Sequence, residues 1–371
     1  RERVGERHQV PEVRLAPGPC HRAERAAMSR DLSPADATDR FLSRRSQRQA
    51  AETVRSYRHR LERFVEWCDE HDDIETMRDI GGWEIDEYRH WRESDGIAPS
   101  TVKGSMVALA QLLQFCERIE VVEGGVSNKV EIPKLTKDEE TSDEMLEAER
   151  AREHLEFFRD STSYYGRPCH AFLELAWHSG CRLGGLRGLD LRDFDAESGT
   201  IHFRHRPQES TPLKNADEGE RIVGINDHVV DALSTYVARE RSDKRDEFGR
   251  EPLFCARQGR PSRTTIRAWS YLATQPCILR ECPHSRSRHS CEWTTRSQSS
   301  KCPSSRSPHA IRTGSVTWLL NETDGDIEWV ASRVNAKPAT IRRYYDKATV
   351  EEAFQQRQQK HTSLDINESE N

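Results

Sequence analysis

Apolar residues in the first third of the chain recur at three- and four-residue steps. In 51–70, Val54, Tyr57, Leu61, Phe64, Val65 and Cys68 fall along one side of a 3.6-residue helix, with charged positions on the other side. The same spacing returns in 99–119, where Pro99 and Ser100 open the segment and Val102, Met106, Leu109, Leu112 and Leu113 form its inner stripe. At 34–45, Ser33 stands in the cap position with Pro34 in the first turn, and 80–94 completes a set of four helices. The pattern predicts a small helical bundle over 33–120. It is followed by a polar, charged stretch, 121–142, with the composition of an interdomain linker. Residues 1–27 are rich in Arg, Glu and Pro and lack apolar periodicity; they predict a disordered tail (1–32) or translated upstream sequence with Met28 as a natural start.

Beyond the linker the period changes. Helical spacing at 142–159 and 166–178 gives way to two short alternating runs, 199–206 and 220–225, which predict strands flanking a turn that presents Lys214. Helical spacing then resumes at 227–243, 261–273, 308–322, 326–334 and 337–343. The expected fold class is mainly α with a small antiparallel β-sheet: the N-terminal bundle, then a second domain over 143–350 with a Cys-rich insertion at 277–302. A tail at 351–371 would either continue as a helix docking on a neighbouring protomer or stay solvated.

Charge and composition narrow the partners. No stretch approaches eighteen apolar residues, so no membrane span is expected and the protein is read as cytoplasmic. The net charge of −6 argues against a nucleic-acid partner until it is resolved along the chain. Residues 251–350 hold 16 Lys and Arg against 8 Asp and Glu, so this stretch is locally basic while the remainder is acidic. Only ten of the 57 cations are lysines, a usage that fits either a salt-adapted organism or GC-rich coding. In molar salt the Debye length is about 3 Å, so short-range bidentate arginine contacts would outweigh any diffuse field.

The basic stretch carries the candidate chemistry. His309 and Arg312 lie three apart, on one face of a helix whose first turn holds Pro308. Arg342-Arg343-Tyr344-Tyr345-Asp346 follows, and His178-Ser179-Gly180-Cys181-Arg182 sits well upstream. Two guanidiniums can hold the non-bridging oxygens of a phosphate and neutralise charge as it builds in a transition state. A free phenol has a pKa near 10, so a tyrosine nucleophile needs a cationic, proton-accepting neighbourhood to attack. Together these are the parts needed to break and rejoin a phosphodiester without metal or ATP.

In this order and behind an N-terminal helical bundle, Arg182, the turn lysine Lys214, His309-x-x-Arg312 and the late tyrosine resemble the tyrosine recombinases, or phage-type integrases. The wording at 182–190 (Arg-Leu-Gly-Gly-Leu-Arg-Gly-Leu-Asp), 211–215 (Thr-Pro-Leu-Lys-Asn), 303–312 and 345–347 (Tyr-Asp-Lys) resembles the haloarchaeal branch. The resemblance covers about 33–350. It implies a SAM-like core-binding bundle and a catalytic domain that clamp double-stranded DNA as a C shape, acting as a homotetramer on DNA. Arg182 and Arg312 would clamp the scissile phosphate, Lys214 would protonate the leaving 5′ oxygen, His309 would assist proton transfer, and Tyr345 would form a 3′-phosphotyrosyl link. No cofactor is implied for catalysis, and the outcome would be site-specific integration, excision or resolution.

Two positions depart from the family pattern. The acidic residue usual three positions after the first arginine is replaced by Gly185. Where a histidine or tryptophan usually stands about nine residues before the tyrosine, the chain has Ala336 if Tyr345 attacks, or Asn335 if Tyr344 does. Tyr-Asp-Lys favours Tyr345. The departures keep open a non-catalytic DNA-binding or regulatory protein on the same fold, and a relaxing topoisomerase of related chemistry is a third reading.

Cys277, Cys282, Cys291 and Cys302 fall within one polar segment, interleaved with His284 and His289. Four thiolates, or three with a histidine, would order the insertion around a structural Zn²⁺. Spacings of x4, x8 and x10 differ from a paired zinc knuckle, so free thiols and disulfides stay open beside zinc.

Overall fold

The computed structural model describes residues 31–136, 139 and 144–344. Two compact units divide the chain between Ser142 and Asp143. In the first, α1 (Pro34–Ser46), α2 (Ala51–Asp69), α3 (Gly82–Ser94) and α4 (Pro99–Arg118) form the bundle. The Ser33 hydroxyl accepts from the Asp36 amide with Pro34 in the first turn, so one of the unpaired first-turn N–H groups of α1 is satisfied. Phe64, Trp67 and Tyr88 cluster at the centre, with the Tyr88 ring edge-on to Phe64 at 5.3 Å and to Trp67 at 5.6 Å. The segment read as a linker from 121 differs in its first ten residues: Val121, Val122, Val126 and Val130 are buried against this core. Four valines outweigh the surrounding charges and glycines there, because burying each contributes roughly 1.5–3 kcal/mol.

The second unit runs α5 (Ala148–Asp160), α6 (Pro168–Ser179), α7 (Leu183–Gly188), β1 (Phe194–Asp195), β2 (Thr200–Phe203), β3 (Arg221–Gly224), α8 (Asp227–Arg239), α9 (Arg263–Ala273), α10 (Pro308–Glu322), α11 (Ile327–Val334) and α12 (Pro338–Tyr344). The antiparallel sheet has the order β1-β2-β3, with Ile201 opposite Val223 at its buried centre. Phe172, Phe203, Tyr236 and Phe254 are buried in the core beneath it. Three elements differ from the periodicity reading. The two-residue strand β1 and the glycine-rich α7 were not expected, and α5 begins six residues later than 142. Before α5, Leu146 instead donates its amide to Ala310 O on α10 at 3.0 Å. No helix among the described residues is long and apolar enough to cross a membrane.

Two features set the geometry around α6 and α10. Gly314 on α10 lets the chain at Leu146 approach so closely that a Cβ would lie 1.9 Å from the Leu146 carbonyl oxygen. On α6, Glu174 is fully buried, with Arg159 donating to both carboxylate oxygens at 2.7 and 3.0 Å. His170 Nδ1 accepts from the Gly166 amide, so its proton sits on Nε2 and faces Glu174 Oε1 at 3.2 Å. Burial pushes the Glu174 carboxyl up, but the His170 and Arg159 hydrogen bonds and the Arg159 charge prevail and hold it near a pKa of about 2. Burial lowers the pKa of neighbouring His178, which leaves Arg159 as the cation that balances Glu174 at neutral pH.

Gly314→Val should therefore lower stability by about 2–3 kcal/mol in thermal or denaturant unfolding, because backbone rather than a flexible side chain must move. Glu174→Gln should cost about 3 kcal/mol at pH 7 by stranding Arg159. Because the Glu174 pKa is depressed, its contribution is full above pH 4.5 and is lost as pH falls toward about 2, so the gap between wild type and Glu174→Gln should close across that window.

Candidate active site

α6 ends at Gly180, in the left-handed conformation (φ 56°), and the chain turns there to place Arg182 at the start of α7. α10 begins at Ser307, whose hydroxyl caps the Ala310 amide, and projects His309 and, one turn on, Arg312. α11 closes at Asn335, also left-handed (φ 53°). These three helix ends converge.

The last carbonyls of α11 are the meeting point. The final carbonyl groups of a helix have no intrahelical partner and form its negative pole, so arginines are favoured there. Arg221 Nε on β3 donates to Arg333 O at 2.7 Å, Arg312 Nη1 to Val334 O at 2.8 Å, and Arg182 Nη1 to Asn335 O at 2.5 Å. Arg312 Nη1 also reaches Gly180 O at 2.5 Å. Arg333 itself turns back to His178 O at 2.8 Å and Gly224 O at 2.9 Å. Arg182 and Arg312, far apart in sequence, are thus fixed on adjacent carbonyls of one helix end.

Arg312 is 2% exposed, and its Nη2 is buried without a hydrogen-bond partner among the described residues. A buried guanidinium nitrogen left unpaired costs about 1–3 kcal/mol or more. His309 is exposed. Its pKa lies below the ordinary imidazole value, first because protein crowds the ring and then because Arg312 and Arg182 repel a second positive charge. Arg182, His309 and Arg312 therefore form one electrostatic group, with His309 neutral at pH 7.

Lys214 lies exposed on the turn between β2 and β3. Its neighbour Asn215 donates Nδ2 to Asn335 Oδ1 at 2.7 Å, so the turn is tied to the residue that receives Arg182. Tyr344 is the last described residue and closes α12; Tyr345 lies outside the described residues. The roles of Asn335, Asn215, Arg221 and Arg333 were not anticipated from sequence. A signal existed for Asn335 alone, an asparagine just past an apolar helical run, where left-handed caps are common.

At Gly185, a Cβ would lie 2.5 Å from Cys181 Sγ and 3.4 Å from Phe203 Cδ1. The Cys181 thiol fills the space that an acidic side chain would need. Arg221 closes this corner, with Nη2 3.4 Å from Cys181 Sγ and its guanidinium 4.3 Å from the Phe203 ring centroid.

The expected zinc ligands are not brought together. Among the described residues no three His, Cys, Asp or Glu side chains form a group able to hold a metal ion, and Cys277, Cys282, Cys291 and Cys302 are free thiols. Cys277 Sγ instead accepts from Arg288 Nη1 at 3.1 Å, Cys302 is buried, and His284 Nε2 lies 3.0 Å from Ser304 Oγ. Other contacts hold the insertion: Arg150 Nη2 donates to Ser304 O at 2.6 Å, Gln275 Nε2 donates to Trp293 O at 2.6 Å, and Arg286 stacks 3.9 Å from the Trp293 ring centroid. Clustered cysteines suggested a ligand set, but carbonyl and cation–π contacts do the ordering.

Residues 39–119 match the family model described as phage integrase, N-terminal SAM-like domain. A tyrosine recombinase XerD of Halalkalibacterium halodurans is 24% identical over 56% of this chain and 65% of its own length, so the chain spans less than two thirds of that relative. The solved N-terminal domain of a phage integrase/site-specific recombinase from Haloarcula marismortui is 40% identical, covering 28% of this chain and 98% of that one at a TM-score of 0.27. The integrase of transposon Tn1549, solved in complex with a circular intermediate DNA, covers 88% of this chain and 99% of its own at 16% identity and a TM-score of 0.61. That last likeness extends the integrase fold across both units. The chain is thus similar to phage integrases in the sequence of its first unit and to the integrase of Tn1549 in fold, with Arg182, Arg312 and His309 gathered on one helix end.

Proposed function

We propose that the protein is a site-specific DNA recombinase, of the family's haloarchaeal branch, that cuts and rejoins DNA in the cytoplasm through a 3′-phosphotyrosyl intermediate. The observation that carries this reading is the buried Nη2 of Arg312, which has no hydrogen-bond partner among the described residues, beside Arg182 and His309. A DNA phosphate supplies the missing acceptor. Its non-bridging oxygens would bond to the two guanidiniums, which are held in place before substrate arrives and so need no reorganisation as charge develops.

The reaction follows from the assigned roles. Tyr345 Oη attacks phosphorus, its proton passing to a neighbouring acceptor for which neutral His309 is suited. The bond from phosphorus to the 5′ oxygen breaks, Lys214 delivers a proton to that oxygen, and a phosphotyrosyl ester remains on the 3′ side. The ester conserves the bond, so the 5′-hydroxyl of a partner duplex can attack it and release the tyrosine. Exchange between two duplexes needs several protomers, and a homotetramer on DNA is the assembly proposed.

Two features favour this over a binding-only protein. The space at Gly185 is filled by Cys181 Sγ rather than left as a defect, and Arg182 is held by the Asn335 carbonyl.

The test uses nicked suicide duplexes randomised across a core site and selects denaturation-resistant protein–DNA adducts. Adducts should form on a restricted sequence set and disappear in Tyr345→Phe while surviving in Tyr344→Phe. Absence of adduct on every duplex would leave a DNA-binding module, and adducts on any sequence would indicate a topoisomerase. In a pH–rate profile of adduct formation the acidic limb should lie below pH 6.5, the ordinary imidazole value, because His309 stays neutral to lower pH; His309→Gln should remove that limb.

A further inference from the structure

We infer that Asn335 is a positioning residue that sets the Lys214 turn and Arg182 in register with each other. This rests on the recombinase reading above and extends it to a residue outside the five assigned roles. Asn335 uses its two oxygens separately: the main-chain carbonyl receives Arg182 Nη1 at 2.5 Å and the side-chain Oδ1 receives Asn215 Nδ2 at 2.7 Å. One residue therefore links the phosphate-binding arginine to the turn beside Lys214.

The local backbone is shaped for this task. Asn335 has φ 53° and ψ 64°, a left-handed conformation that asparagine tolerates better than most residues and that points its carbonyl and its amide to different neighbours. Its Nδ2 would lie 2.6 Å from a Cβ at Gly219, so the bare backbone at Gly219 makes room for the amide. On its β2 side the turn is held by the buried Leu213, whose amide donates to His205 Nδ1 at 2.9 Å, and by Arg250 Nη1 donating to Thr211 Oγ1 at 3.1 Å; the Asn215 bond is the tie from the residue after Lys214 to the anchor of Arg182. An acid misplaced by about 1 Å can lose on the order of a hundredfold in rate.

Asn335→Gly isolates the side-chain arm, because glycine keeps the left-handed backbone and the carbonyl facing Arg182. Asn215→Ala removes the same hydrogen bond from its other end. Each variant is compared with wild type and Lys214→Ala on the duplex recovered in the adduct selection, made once with oxygen and once with sulfur at the scissile 5′-bridging position. A thiol leaving group has a pKa of about 8.5 and departs without an acid, so it reports directly on loss of acid catalysis. Asn335→Gly and Asn215→Ala should slow adduct formation at least tenfold on the oxygen duplex and run within about twofold of wild type on the sulfur duplex, as Lys214→Ala should, with thermal melts showing all three folded. Equal slowing on both duplexes, or no slowing on either, overturns the role of Asn335. If Lys214→Ala itself is not restored by sulfur, the assignment of Lys214 fails and takes this route of action with it. If wild type forms no adduct, the recombinase reading fails first and the proposal falls with it.

Discussion

The second unit is organised around a helix end whose orphan carbonyls are each taken by an arginine from a different part of the chain. Arg221 comes from the sheet, Arg312 from α10 and Arg182 from the start of α7, and they bind the consecutive carbonyls of residues 333, 334 and 335. A helix C-terminus carries about half a negative charge, enough to hold guanidiniums without cancelling them as a carboxylate would. That difference matters for a site that must offer positive charge to a phosphate. A carboxylate partner would fix a guanidinium but cancel its charge, whereas the carbonyls of residues 333 to 335 fix geometry with partial charges only.

Farther from the site, the unit does use carboxylates. Glu174 takes Arg159, and Asp190 sits among Arg260, Arg250 and Arg206. These pairs compensate buried charge in the scaffold beneath α6 and beside the sheet. Arginines also tie the scaffold through main-chain oxygen, as Arg150 does at Ser304 O and Arg306 at Met145 O. The dominance of arginine over lysine in the composition suits both uses, since a planar fork can bind two acceptors in a fixed geometry.

Much of the architecture was legible in the sequence because helices announce themselves. Ser33 with Pro34 marks the start of α1, and the apolar stripes read over 51–70 and 99–119 are α2 and α4. What escaped reading has physical reasons. A two-residue strand such as β1 has no period, and Gly184 and Gly185 disguise α7. The four valines after Arg118 are diluted by charge. The residue types at Arg182, His309 and Arg312 were identifiable, but their convergence depends on main-chain oxygens, which every residue possesses and none advertises. For the same reason Asn335 looked like a missing histidine or tryptophan rather than a junction. The cysteines of the insertion are legible as a ligand set by residue type alone; among the described residues they are free thiols and no three His, Cys, Asp or Glu side chains gather there.

The tight contact between Gly185 and Cys181 makes the two positions interdependent. A carboxylate does not fit at position 185 while the Cys181 thiol occupies its volume, and shrinking residue 181 alone would open a void beside Phe203 and withdraw the sulfur from Arg221. Either single step is penalised, so the two positions can change only as a pair. The pair behaves as one packing unit, in which the volume of residue 181 sets what residue 185 can be.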